Sequence, residues 1–97
     1  MKLNIQSEEV ADGQDAQMIY DYMQDFKGCT WKKGDIIIKS VEREDDHHAV
    51  GTTGVLEGGR YIDPGNDIPQ ECYLVKFDGD EHLTFTLQDC LALVKSS

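Results

Sequence analysis

The sequence predicts one α+β domain, mainly β, in which a single amphipathic helix precedes a five-stranded β region. Three observations carry that prediction. Apolar residues recur at three- and four-residue spacing between about residues 14 and 27. From Gly34 to Val94 the pattern changes to alternation, rich in β-branched and aromatic residues and punctuated by Gly and Asp. The chain of 97 residues is long enough to hide roughly 65% of its unfolded surface, so one core needs no disulfide or metal.

The elements follow in order. Lys2 to Gln6 alternates Leu3 and Ile5 with polar neighbours, as an opening strand or tail does. The helix is expected from Gln14 to Lys27, with Ala16, Ile19, Tyr22, Met23 and Phe26 on one face. Asp12 or Asp15 is placed to cap its start, and Gly28 after Lys27 to stop it. So short a helix is unstable alone and must lay that face on the sheet. Gly34-Asp35 then opens the β-branched run Ile36 to Val41, and a charged loop runs from Glu42 to His48. Val50 to Glu57 is a second strand bent at Gly51 and Gly54. Gly58-Gly59 is read as a turn, Arg60-Tyr61-Ile62 as an extension of the strand or its return, and residues 63–67 as a turn. Cys72 to Phe77 is the third strand, followed by a hairpin connection at Asp78 to Glu81. In the fourth, Leu83, Phe85 and Leu87 face one way and His82, Thr84 and Thr86 the other. Gln88 to Cys90 makes a single turn before the last strand, Leu91 to Val94.

Five glycine-bent strands of this length are expected to close on themselves, which removes their edges. The succession Gly34-Asp35-Ile36-Ile37, Gly51-x-x-Gly54-Val55, Tyr73-Leu74-Val75-Lys76-Phe77, a strand, one turn and Leu91-Ala92-Leu93 resembles a small SH3-like barrel over residues 34–94. That resemblance implies a five-stranded SH3-like barrel with the helix packed on it, and it implies no particular activity. The same order is similar to the plasmid-borne type II dihydrofolate reductases, whose active strand reads VQIY. Here that stretch is Leu83-Thr84-Phe85-Thr86.

Charge narrows the function. Nine Lys plus Arg against nineteen Asp plus Glu give a net charge of −10. A nucleic-acid partner is not expected, because phosphate binding needs Lys and Arg to displace counter-ions. No apolar run approaches a membrane span, and the start of the chain lacks a basic and then apolar leader, so a cytoplasmic protein is expected. Cys29, Cys72 and Cys90 are odd in number and lack CxxC spacing, which implies buried or half-buried thiols and no zinc site. No nucleophile elbow and no phosphate-cradling glycine loop is present, so no catalytic residue and no cofactor is assigned.

What remains is a candidate partner surface of Trp31, Glu44, Asp45, Asp46, His48 and Tyr61. Trp31, Tyr61 and Tyr73 could line a groove for an extended peptide, and the acids of the first long loop would stand beside it. Packing under the barrel competes with display for Trp31. Apolar residues on both faces of Ile36-Ile37-Ile38 and Tyr73-Leu74-Val75 raise a second matter. Ile37 and Leu74 are expected on the outer face, covered by the helix or else by a partner or a second copy. The expected function is a small, acidic, non-catalytic interaction or regulatory module that binds a protein, a basic one being what the charge attracts. The alternative is a small-molecule or metal-binding accessory using Asp45-Asp46-His47-His48.

Overall fold

The computed structural model describes residues 2–5, 9–41, 48–62 and 70–97. Seven strands and one helix follow in chain order: β1 (Lys2–Ile5), β2 (Glu9–Asp12), α1 (Gly13–Tyr22), β3 (Ile36–Lys39), β4 (Thr53–Ile62), β5 (Gln70–Phe77), β6 (Leu83–Leu87) and β7 (Leu91–Lys95). A 3-10 turn, Gln88–Cys90, joins the last two. All seven strands lie in one sheet, ordered β2-β1-β6-β5-β4-β3-β7. Strands β3 to β7 form a five-stranded antiparallel sheet within it.

The sheet is open, which corrects the expectation of a closed tube. β6 has β5 on one edge and β1, running parallel, on the other. With both edges of β6 occupied, β7 has no strand to close against. The fold is nevertheless compact: its radius of gyration is 12.4 Å, against about 12.5 Å expected for 97 residues.

Strand β5 is the axis of the packing. Cys72, Tyr73, Leu74 and Val75 are all buried, so this strand has apolar cover on both faces. Its odd-numbered residues point to a cluster of Ile37, Leu56, Tyr73, Val75, Phe77 and Leu91. Cys72 and Leu74 point the other way, into a cluster with Ala16 and Met23, bordered by Ile19, Tyr20, Leu83, Phe85 and Leu87. The helix therefore covers Leu74, as expected. Ile37 does not share that face. It is fully buried in the first cluster, because its partner Gly54 also pairs with Phe77, and strand partners point to the same side.

The helix begins where the sequence placed it, with the Asp12 carboxylate accepting from the Gly13 N–H at 2.7 Å. It ends earlier, at Tyr22 and not near Lys27. Tertiary hydrogen bonds decide this: the Gly59 N–H donates to Met23 O at 2.7 Å, and the Tyr61 N–H to Lys27 O at 3.2 Å. The chain unwinds to run along the half of β4 that lies beyond its pairing with β3. Tyr22, read as part of the buried face, is 58% exposed and carries the Arg60 guanidinium 4.1 Å above its ring. Gly58-Gly59 is no turn. Both residues lie within β4, where the register slips between Leu56 and Gly58. A β-carbon at Gly59 would sit 2.7 Å from the Phe26 ring and 2.9 Å from that of Tyr73, so glycine here is a packing requirement. Strand β2, in a stretch where the sequence suggested no strand, pairs antiparallel with β1.

Asp35, in the turn before β3, is 3% exposed. Its carboxylate accepts from the N–H groups of Lys32 at 3.0 Å and Ser97 at 2.8 Å, tying the chain end to the first strand of the antiparallel sheet. Burial works against the charged form, but the Ser97 and Lys32 hydrogen bonds outweigh it and hold the carboxyl below the usual 3.8. A carboxyl lowered by folding contributes stability that is present above the ordinary value and is lost as pH falls through the folded one. Chemical denaturation from pH 7 down to pH 2 should show stability falling below about pH 4, with a shallower fall in Asp35→Asn. Thr84 supplies a second measurement. Its hydroxyl is buried with no hydrogen-bond partner among the described residues, and such an orphan costs about 1–3 kcal/mol. Thr84→Val keeps the shape and removes the orphan. Thermal melts should show a gain of about 1 kcal/mol, a rise of about 4–8 °C for a domain this small.

Candidate functional site

The inner cluster is stoppered differently at its two ends. At one end Phe26, Cys29 and Trp31 pack against it. At the other His48 stacks on Phe77, with ring centroids 4.2 Å apart. Along β5 these ends are separated by the six residue steps from Glu71 to Phe77, about 20 Å at strand rise. The candidate surface is therefore divided. Trp31 and Tyr61 lie at the first end and His48 at the second, while Glu44, Asp45 and Asp46 lie outside the described residues.

The first end is built around Glu71, which sequence reasoning missed. Its carboxylate accepts from the Thr30 hydroxyl at 2.7 Å, the Thr30 N–H at 3.2 Å and the Tyr73 hydroxyl at 2.9 Å. The Tyr73 oxygen in turn accepts from the Trp31 N–H at 3.2 Å. Every donor to Glu71 is neutral, and no Lys or Arg among the described residues pairs with it. Tyr61 is the cross-strand partner of Glu71, so both side chains leave the same face. Tyr61 is 46% exposed. Gly28, at φ 77°, lies so close that a β-carbon there would meet the Tyr61 Cβ at 2.8 Å. Glycine at 28 is thus required twice over.

Tyr73 is not a groove wall, as the sequence had allowed. It is fully buried, with Trp31 tilted on its ring at 5.2 Å and Phe26 at 6.4 Å. Trp31 consequently has one face on the core and remains half-buried. Burial pushes the Tyr73 phenol well up, and the neighbouring Glu71 carboxylate adds to the shift, so the hydroxyl stays a donor. Burial likewise raises the Cys29 thiol and pushes Cys72 up to about 11. Both remain thiols at neutral pH, without the thiolate that nucleophilic chemistry requires.

The second end is already paired. His48 Nε2 lies 2.6 Å from the Asp80 carboxylate, and the His48 side chain is 12% exposed. His48, read from the sequence as a partner contact, stacks on Phe77. Of the alternative metal loop, Asp45, Asp46 and His47 fall outside the described residues. Among the described residues no group of three or more His, Cys, Asp or Glu is arranged to hold a metal ion. No helix among them is long and apolar enough to cross a membrane.

Comparison of the chain with protein-family models, with curated proteins and with solved structures found no match.

The Tyr73 hydroxyl links the buried cluster to the carboxylate of the half-buried Glu71, and its removal isolates that link. Tyr73→Phe keeps the ring but leaves Trp31 N–H without its acceptor and Glu71 without one donor. Denaturant unfolding should show a loss of about 1–3 kcal/mol, and the emission of the single tryptophan should shift as its backbone loosens.

Proposed function

We propose that this chain is a small acidic, non-catalytic interaction module of SH3-like architecture whose partner is a basic protein segment. The order of elements supports the architecture: four strands, one 3-10 turn and a last strand that returns to lie beside the first of the five. The observation that carries the function is the charge. With nineteen acids and nine Lys plus Arg, at least ten carboxylates have no Lys or Arg of their own in any conformation. A field of that size speeds and favours encounter with a positively charged partner. At the Glu71 end, Trp31 and Tyr61 retain partly open surface beside a carboxylate that has no Lys or Arg partner among the described residues. Aromatic area with a polar handle is what protein interfaces favour.

Calorimetry with a short lysine- and arginine-rich peptide and a neutral peptide of equal length tests the reading. The basic peptide should bind at about 50 mM salt and weaken at least tenfold at about 500 mM, as screening shortens the field's reach. Equal binding of both peptides, or none of either, would overturn it.

A further inference from the structure

We infer that the Glu71 end is a receptor for one arginine side chain of the basic partner, with the guanidinium on the Glu71 carboxylate and its plane against Trp31 and Tyr61. The inference rests on the basic-partner reading above and adds to it a place and a residue type.

Glu71 is held in a fixed orientation without being neutralised. A carboxylate offers about four lone-pair directions. Thr30 N–H, Thr30 Oγ1 and Tyr73 OH fill three of them. The described residues leave one direction unfilled and place no Lys or Arg on the carboxylate. Other carboxylates among the described residues have different partners, Asp21 and Asp78 each taking a single neutral side-chain donor. Asp25 has Arg60 at 2.9 Å and Asp80 has His48 at 2.6 Å, whereas Asp35 is spent on the backbone of Lys32 and Ser97.

The surroundings favour a cation, and arginine among cations. Trp31 is pinned through its N–H to Tyr73 and through its ring to the Tyr73 face. Tyr61 leaves β4 on the same side as Glu71 and is set against Gly28. Aromatic faces attract cations. A guanidinium is planar and weakly hydrated, so it can stack on a ring while donating to a carboxylate, which an ammonium cannot do as well. Little ordering is left to do on binding, because the rings and the carboxylate are already placed.

The chain has one tryptophan, so its fluorescence reports on this end alone. The probes are three blocked peptides in a glycine-serine background, carrying two arginines, two lysines or two citrullines, titrated at low salt with calorimetry in parallel. The arginine peptide should give a saturable change in Trp31 emission. The lysine peptide should bind at least threefold more weakly, and the citrulline peptide should not bind. Glu71→Gln should weaken the arginine peptide at least tenfold. Tyr61→Ala, at an exposed position, should weaken it about threefold without moving the melting temperature, and Asp80→Asn at the far end should leave it unchanged. Should the arginine peptide bind Glu71→Gln and Tyr61→Ala as tightly as the natural chain, the site is elsewhere, although the basic-partner reading survives. Equal binding of lysine and arginine peptides overturns the choice of guanidinium. Failure of both to bind the natural chain overturns the site and the reading together.

Discussion

Everything in this molecule is arranged around a strand that has no solvent face over its middle. Cys72 to Val75 in β5 are buried on both sides, and a strand of that kind cannot exist without two separate covers. One cover is the curl of the sheet itself, which brings Ile37, Leu56 and Leu91 over Tyr73, Val75 and Phe77. The other is α1, which lays Ala16 and the following Met23 on Leu74. A helix of ten residues has no independent stability, and Leu74 without it would face water. Helix and sheet therefore stand or fall together.

The two ends of the inner cluster follow from the same constraint. A curled open sheet leaves its core exposed above and below, and each opening has to be stoppered by whatever the loops supply. At the β5 exit the stopper is His48, whose ring lies flat on Phe77 and whose polar edge is satisfied by Asp80. At the β5 entrance it is Trp31, larger and only half-covered, with Glu71 and Thr30 tied beside it. The two ends differ because one carboxylate meets an imidazole and the other, among the described residues, meets only hydroxyl and backbone donors.

Much of the β framework was legible locally. Leu83-Thr84-Phe85-Thr86-Leu87 alternates so regularly that its two faces could be assigned from the sequence, although the buried face is that of Thr84 and Thr86 while Leu83, Phe85 and Leu87 are half-buried. Asp12 announced the helix start by its chemistry. The helix end was not legible, because Gly28 is a credible stop and nothing near Met23 reveals that a backbone amide of β4 will claim its carbonyl. Gly58-Gly59 reads as a turn on local preference alone; only the approach of Phe26 explains it as strand. Of the candidate surface, Trp31 and Tyr61 were recognisable as aromatics outside the obvious core pattern. Glu71 was not, since its partner Thr30 lies forty-one residues away and no spacing rule joins them. The contact of His48 with Asp80 was hidden for a related reason, the two being thirty-two residues apart.

The segment between Tyr22 and Thr30 has one further significance. It is irregular by shape, yet it acts as the neighbour of β4 over that strand's second half, taking the amides of Gly59 and Tyr61 on the carbonyls of Met23 and Lys27. A proteolytic cut there would do more than release a helix. It would bare the flank of a long strand whose amides had been satisfied, and bared flanks recruit strands from other molecules. The stretch that looks most like a connector thus stands in for a neighbouring strand along that part of β4.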